Sequence, residues 1–463
     1  MKLLQFSLAF FMALPGMGQL NTELFNDYED YSEKSITTRR FKYEDIMSLI
    51  DKLGNDFKVK QVGTSVEGRA IKLITYGNGP VNVLMWSQMH GDETTATRAI
   101  MDVFLWLQAD DQFNDIRDKI KSSITWHFIP MLNPDGASRF TRRNHFGIDI
   151  NRDALRLQTP EGRTLKRVRD SLQADWGFNL HDQGRGTSVE DKKPATISLL
   201  APAFDVSKSI NEKRGDAMQL TKLMFDQITQ YIPGQMAIYD DTFEPRAFGD
   251  NIQKWGTRTI LIESGGYEDD YEKQEIRRLN FVLLITAANA IANNNYEKIP
   301  VTDYNKIPSN GDGRIRELIL RNVQYEGLLR DVAFDRSEVD SEDFRNYYAQ
   351  GFVTDLGDLS TSQSFFTLDA KDYEVLPGKV YEKELADVNA LNALDLEQSL
   401  KEGYTDFVVL TGYDPFTMKQ RVHVHSKKPA TNETLRMGGN PSLLFKRNGE
   451  IAYAVINGCL IKL

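Results

Sequence analysis

From about Gln19 to Asn295, short apolar or β-branched runs alternate with longer stretches in which apolar positions recur every three to four residues. The runs "AIKLITYG", "VNVLMWSQM", "SITWHFIPML", "WGFNLH" and "TRTILIES" predict strands. The periodic stretches Tyr43–Leu53, Thr94–Ala109, Glu161–Asp175, Ile210–Tyr231 and Tyr271–Asn294 predict helices. Alternation of this kind argues an α/β domain over 19–300, three layers deep (α/β/α), with a largely parallel or mixed central sheet and helices on both faces. The pattern breaks in "NYEKIPVTDYNKIPSNGDGR", whose prolines, glycines and amides read as a linker over 301–313. The remainder, 314–463, reads as β-rich. There Asn448-Gly449 stands before an apolar strand, a strong hairpin signal.

The first residues follow a different pattern. In "MKLLQFSLAFFMALPGMGQLNTE", Lys2 precedes the apolar run Leu3 to Leu14, Pro15 breaks it, and Gly16 and Gly18 fit a cleavage site before Gln19. This predicts a signal peptide over 1–18 and an exported chain, periplasmic or secreted. No other segment is long and apolar enough to span a membrane. A net charge of −10 disfavours nucleic acid, whose phosphates demand a basic surface. The lone Cys459 cannot form an intrachain disulfide, and its apolar setting predicts a small core residue.

Candidate chemistry begins in "VLMWSQMHGDETTATRA", where His90 and Glu93 stand where a strand gives way to a helix. With 6 His and 66 acids in 463 residues, about one His-x-x-acid pair arises by chance, so this motif is weak alone. Position adds to it. Sheets of this class bind ligands beyond the carboxyl ends of their strands, and His90, Asn133, His181 and Glu263 all fall at such ends. Two histidines and one carboxylate, His90, Glu93 and His181, leave a fourth position open, as in a catalytic zinc site. The block "MLNPDGASRFTRRNHFGIDINRD" gathers arginines and amides whose forks suit a carboxylate. Glu263 ends a buried run, where a lone acid is costly unless it is paired or functional, and a general base is a natural use.

Together these segments resemble the zinc carboxypeptidase family, the metallocarboxypeptidases related to pancreatic carboxypeptidase A. The resemblance covers roughly 43–294 and includes "VGTSVEGRAI", "HGDE", "NPDG", "RRN", "GIDINRD" and the glutamate-ending strand, in family order. It implies a metallocarboxypeptidase-like fold and one zinc per chain, held by His90, Glu93 and His181. It further implies Glu263 as the base that activates the zinc-bound water, and Arg142 as the group that polarises the scissile carbonyl. Asn151 and Arg152 would grip the substrate's terminal carboxylate, and Asp149 would hold the far nitrogen of His90. The family's proton-relay tyrosine falls near Tyr239. At the floor of the specificity pocket Phe248 and Asp250 compete, one predicting apolar terminal residues and the other basic ones. Asp92 stands where digestive members carry arginine, and the absence of a long propeptide implies no zymogen.

The implied partner is a peptide with a free C-terminal carboxylate. The alternatives are a zinc amidase of cell-wall peptides, an acylamino-acid deacylase and a non-catalytic binding protein on the same fold. Two stretches of the second domain, "LDAKDYEVLPGKV" and "NPSLLFKRNGEIAYAVINGCLIKL", resemble the small β-sandwich beside the amidohydrolase barrel, but that barrel is missing. The preferred reading is a β accessory domain in which His423 and His425 alternate along one strand face and form no second metal site.

Overall fold

The computed structural model describes residues 17–418, 421–429 and 435–463. Of the expected signal peptide, residues 1–16 lie outside the described residues. The chain divides into two units, Met1–Gly311 and Asp312–Leu463.

In the first unit the strands are β1 (Phe57–Thr64), β2 (Ala70–Gly77), β3 (Val81–Trp86), β4 (Ile124–Ile129), β5 (Trp176–Asp182), β6 (Ile197–Leu200), β7 (Met236–Ile238) and β8 (Arg258–Ser264). They form one sheet in the order β1-β2-β4-β3-β5-β8-β6-β7. The four central strands β4, β3, β5 and β8 run parallel. On one side β2 and β1 join antiparallel, and on the other β6 does, which makes the sheet mixed.

The three layers follow from side-chain alternation along buried strands. Val83 and Met85 of β3 face one way, into a core shared with helices α3 (Thr95–Gln108), α6 (Glu212–Ile228) and α8 (Gln274–Ala292). Leu84 and Trp86 face the other way, against Leu165 and Val168 of α5 (Pro160–Leu172) and Phe248 and Ile252 of α7 (Phe248–Lys254). Within the first face a buried ion pair ties α8 to α3. Arg277 donates from Nε to Asp102 Oδ2 at 2.7 Å and from Nη2 to Asp102 Oδ1 at 2.5 Å. Tyr28 Oη and the backbone N–H of Glu33 donate to the same carboxylate, at 3.0 and 2.7 Å, so the N-terminal segment is fastened there too. A charge this deep is tolerable only when every lone pair is met.

The stretch that reads as a linker is laid down on the first unit up to Gly311. It forms a 3₁₀ turn over Val301–Lys306, and Tyr304 and Ile307 are buried in the main core. Tyr304 Oη accepts from the backbone N–H of Ala201 at 3.1 Å.

The second unit is β-rich. One of its four-stranded sheets contains Arg316–Tyr325, Leu328–Asp340, Tyr347–Gly357 and Ser364–Asp369. The expected hairpin joins Leu443–Arg447 to Glu450–Ile456 through Asn448 and Gly449, both at positive φ (54° and 89°), as this two-residue turn demands. Cys459 departs from expectation: it is half-buried, not in the core, because Cys459–Lys462 is the edge strand of its sheet. His423 and His425 lie half-buried on one short strand, and Asp406 pairs with His425 Nε2 at 2.7 Å.

Candidate active site

Parallel pairing of β5 and β8 sets the site's first geometric fact. His181 and Glu263 are register partners, so the two side chains leave the sheet on the same face at the carboxyl ends of adjacent strands. Both are buried. His90 and Glu93 arrive on the turn after β3, just before α3. That turn is locked against the "NPDG" segment. A Cβ at Gly91 would lie 2.0 Å from the backbone carbon of Gly136, so only glycine fits between His90 and Asp92. Asn133 Oδ1 caps the short helix Pro134–Ser138 by accepting from the N–H of Gly136 at 3.0 Å.

Three donor groups converge there. Glu93 Oε1 lies 2.7 Å from His90 Nδ1, Glu93 Oε2 lies 2.6 Å from His181 Nδ1, and the two Nδ1 atoms are 3.1 Å apart. One donor atom from each residue stands within 4.8 Å of the others, all three buried. Donors of a tetrahedral zinc site lie roughly 3.3 Å from one another, so the residues fit the ion. The far nitrogen of His90, Nε2, is 3.1 Å from Asp149 Oδ1. That bond places the ring proton on Nε2 and leaves the Nδ1 lone pair facing the cluster. Although burial opposes it, His90 and Arg142 hold the Asp149 carboxyl below the usual carboxylate range.

The polar block after β4 supplies the cations. Arg142 donates from Nε to Asp149 Oδ2 at 3.1 Å and reaches Glu93 Oε1 at 3.2 Å with Nη1, while its side chain stays 42% exposed. Asp149 also caps the turn Ile150–Arg152 by accepting from Asn151 N–H at 2.9 Å, which ties the ligand His90 to Asn151 and Arg152. Asn151 Oδ1 accepts from Phe248 N–H at 2.9 Å.

Glu263 accepts no hydrogen bond from a described residue. Burial, then the charges of Glu93 and Asp182, push its carboxyl well above the ordinary value. Tyr239, half-buried after β7, has Glu263 as its strongest electrostatic neighbour and is pushed up to about 12. The two pocket-floor candidates separate. Phe248 is fully buried and packs on Trp255, whereas Asp250 is half-buried and accepts from Glu244 N–H at 3.0 Å. Burial pushes the Asp250 carboxyl up to about 7. Asp92, between the first two ligands, is raised to about 6 by burial and by Glu93.

Residues that the sequence did not single out complete the frame. Asp182 follows His181, and its N–H donates to Glu93 Oε2 at 3.2 Å. Its own carboxylate accepts from Thr95 Oγ1 at 2.7 Å and from Lys273 Nζ at 3.1 Å. Lys273 Nζ also donates to the carbonyl of Ser264 at 2.8 Å, so one buried ammonium joins the ends of β5 and β8 beside His181 and Glu263. Lys273→Met should cost about 3–5 kcal/mol, because it leaves the Asp182 carboxylate buried without its cation. Lys273→Arg should recover most of that, and urea unfolding of the three proteins checks the order.

The profile of the zinc carboxypeptidase family matches residues 43–190, a span that holds His90, Glu93, Asp149 and His181. Over that span, about a third of the chain, the first unit is similar to the zinc carboxypeptidase family. Its His-Glu-His zinc-binding group is intact. An uncharacterised protein of Zymomonas mobilis is 22% identical over 131 residues, 26% of this chain and 33% of that one. Carboxypeptidase SOL1 of Arabidopsis thaliana is 23% identical over 140 residues, 27% of this chain and 28% of that one. The match thus spans about a third or less of these curated relatives. A metallo-carboxypeptidase structure from Burkholderia cenocepacia is 16% identical with a TM-score of 0.45, covering 55% of this chain and 70% of that one.

Proposed function

We propose that the first unit is a carboxypeptidase that hydrolyses the C-terminal amide bond of peptides. The observation that carries this reading is Glu263: buried, its carboxylate accepting no hydrogen bond from a described residue, and in strand register with the ligand His181. Zinc held by His90, Glu93 and His181 would supply Lewis acidity to a carbonyl and to water. Glu263 then takes the proton of the attacking water and returns it to the leaving amine. Asp149 keeps His90 in the tautomer that presents Nδ1. Arg142 places a cation beside the ligand cluster, where an oxyanion grows only in the transition state. Asn151 and Arg152 bind the terminal carboxylate, and Tyr239 brings its hydroxyl to the Glu263 side.

Recognition of the terminal carboxylate separates this activity from other zinc amidases, and one pair of substrates tests it. A peptide with a free C-terminus should be cut much faster than its C-terminal amide. Arg152→Ala should shrink that preference by roughly 10- to 150-fold, the equivalent of about 1.5–3 kcal/mol for a charge-assisted hydrogen bond. Equal cleavage of both peptides at internal bonds overturns the reading. A cell-wall peptide bearing a free carboxylate would meet the same groups.

The N-terminal sequence supports export with cleavage near Gln19. Sequencing the mature N-terminus should return Gln19 or a close neighbour, and an intact Met1 on cytosolic protein contradicts it.

A further inference from the structure

Beside Arg152, read above as the residue that binds a terminal carboxylate, lies a carboxylate of the chain itself, that of Glu244. Arg246 grips it in a two-point fork, from Nε to Oε1 and from Nη2 to Oε2, each at 3.0 Å. The N–H of Arg246 adds a third bond to Oε1 at 3.1 Å. Arg152 approaches the same Oε2 with Nε at 3.4 Å. Two guanidiniums thus share one anion, and hydrogen bonds from Arg246 together with the charge of Arg152 hold the Glu244 carboxyl below its ordinary value.

Backbone geometry fixes this arrangement against the site. The N–H of Ala154 donates to the carbonyl of Arg246 at 3.1 Å, and Phe248 N–H donates to Asn151 Oδ1 at 2.9 Å. The 244–248 segment is therefore fastened to the 151–154 turn at two points. Arg246 also feels the charge of Asp149, the partner of His90. Nearby acids are otherwise engaged. Asp241 is paired with Arg214 at 2.8 Å, and Asp250 accepts from the N–H of Glu244. None of the three paired side chains is sealed in: Glu244 is 28% exposed, Arg152 37% and Arg246 57%. A carboxylate from solvent can reach both arginines, and the internal pair is of the weak, exchangeable kind.

We propose that Arg152 and Arg246 form a two-arginine clamp for the α-carboxylate of a peptide, and that Glu244 is its internal occupant, displaced when substrate binds. The proposal rests on the reading of Arg152 as a carboxylate-binding residue. Glu244 then acts as a built-in competitor that weakens binding of any peptide with a free C-terminus. It has no such effect on an amidated peptide, which offers no anion to the clamp. Arg246 becomes a second arm of the site, one that the sequence motif "GIDINRD" does not include.

The test measures binding of one peptide and its C-terminal amide to the zinc-loaded full-length chain carrying Glu263→Gln, so that turnover does not interfere, and KM in the otherwise wild-type chain. Glu244→Gln should tighten the free acid by about twofold to tenfold, the worth of one or two exposed ion pairs. The change should sit in KM, and the amide should not gain. The double variant Glu244→Gln/Arg246→Gln should lose part of that gain, because an arm of the clamp is gone. If Arg152→Ala weakens the free acid but Glu244→Gln leaves it unchanged or weaker, the clamp proposal fails while the carboxypeptidase reading stands. If Glu244→Gln selectively weakens peptides ending in Lys or Arg, Glu244 is a receptor for a basic side chain and the proposal is overturned. If Arg152→Ala has no effect on either peptide, the underlying reading fails first.

Discussion

Glu263→Gln should lower kcat by a factor on the order of 10²–10⁴ or more while the protein keeps its zinc and its fold. The amide has the shape of the acid but cannot accept a proton, so only the transfer step is removed. Retention of the fold is expected because Glu263 accepts no hydrogen bond from a described residue, so nothing structural is cut. The buried carboxylate is also expensive as an anion, pressed by Glu93 and Asp182, and a neutral amide relieves that cost. The variant should therefore unfold no earlier than wild type. Glu93→Gln makes the contrast. Its carboxylate faces both ring nitrogens at 2.6–2.7 Å, so losing the charge should release the metal. Metal analysis beside peptide hydrolysis sorts the two glutamates into base and ligand. Near-full turnover in Glu263→Gln would assign the proton transfer to another group.

The sequence made the central strands legible because they are buried on both faces and read as unbroken apolar runs. "TRTILIES" announces β8 and "VNVLMW" announces β3. The edge did not announce itself. Only Phe57 of β1 is fully buried, and "FKVKQVGT" therefore carries little apolar signal. β6 and β7, at four and three residues, are shorter than any period can reveal. Helix Asn114–Ser123 buries Arg117 and Ile120 alone, so its sequence reads as solvated chain. The same distinction governs the site. His90 and Glu93 are three residues apart, and Asp149, Asn151 and Arg152 share one turn, so local motifs carry them. Lys273, Asp182, Glu244 and Arg246 carry no such mark. Charged residues are common in loops, and their meaning lies in approaches between segments that are far apart in the chain, such as Lys273 Nζ between β5 and β8. The linker reading failed to anticipate burial of Tyr304 and Ile307 for a related reason. Prolines and glycines report the backbone's turns, and two apolar side chains among them decide where it packs.

Removing zinc should destabilise the first unit as well as silence it. Without a cation, a carboxylate and two imidazoles remain packed within 2.6–3.1 Å of one another, all nearly out of solvent. A single proton cannot satisfy every facing lone pair, so the cluster carries a desolvation cost that a divalent cation offsets. Zinc binds the folded state and has no comparable site in the unfolded chain, and so it adds stability by mass action. At free zinc a thousandfold above the dissociation constant this amounts to about 4 kcal/mol, or a shift in Tm on the order of 10 °C. His181→Ala removes a ligand, and the variant should already lie at the lower Tm with no bound zinc. The signature of the site is therefore an interaction: a chelator lowers the Tm of wild type and leaves His181→Ala where it is. Calorimetry follows the first unit's transition, since the second unit has its own core and can melt separately. Wild-type protein that hydrolyses peptides with no transition metal bound, and whose first transition ignores the chelator, would refute the metal site altogether.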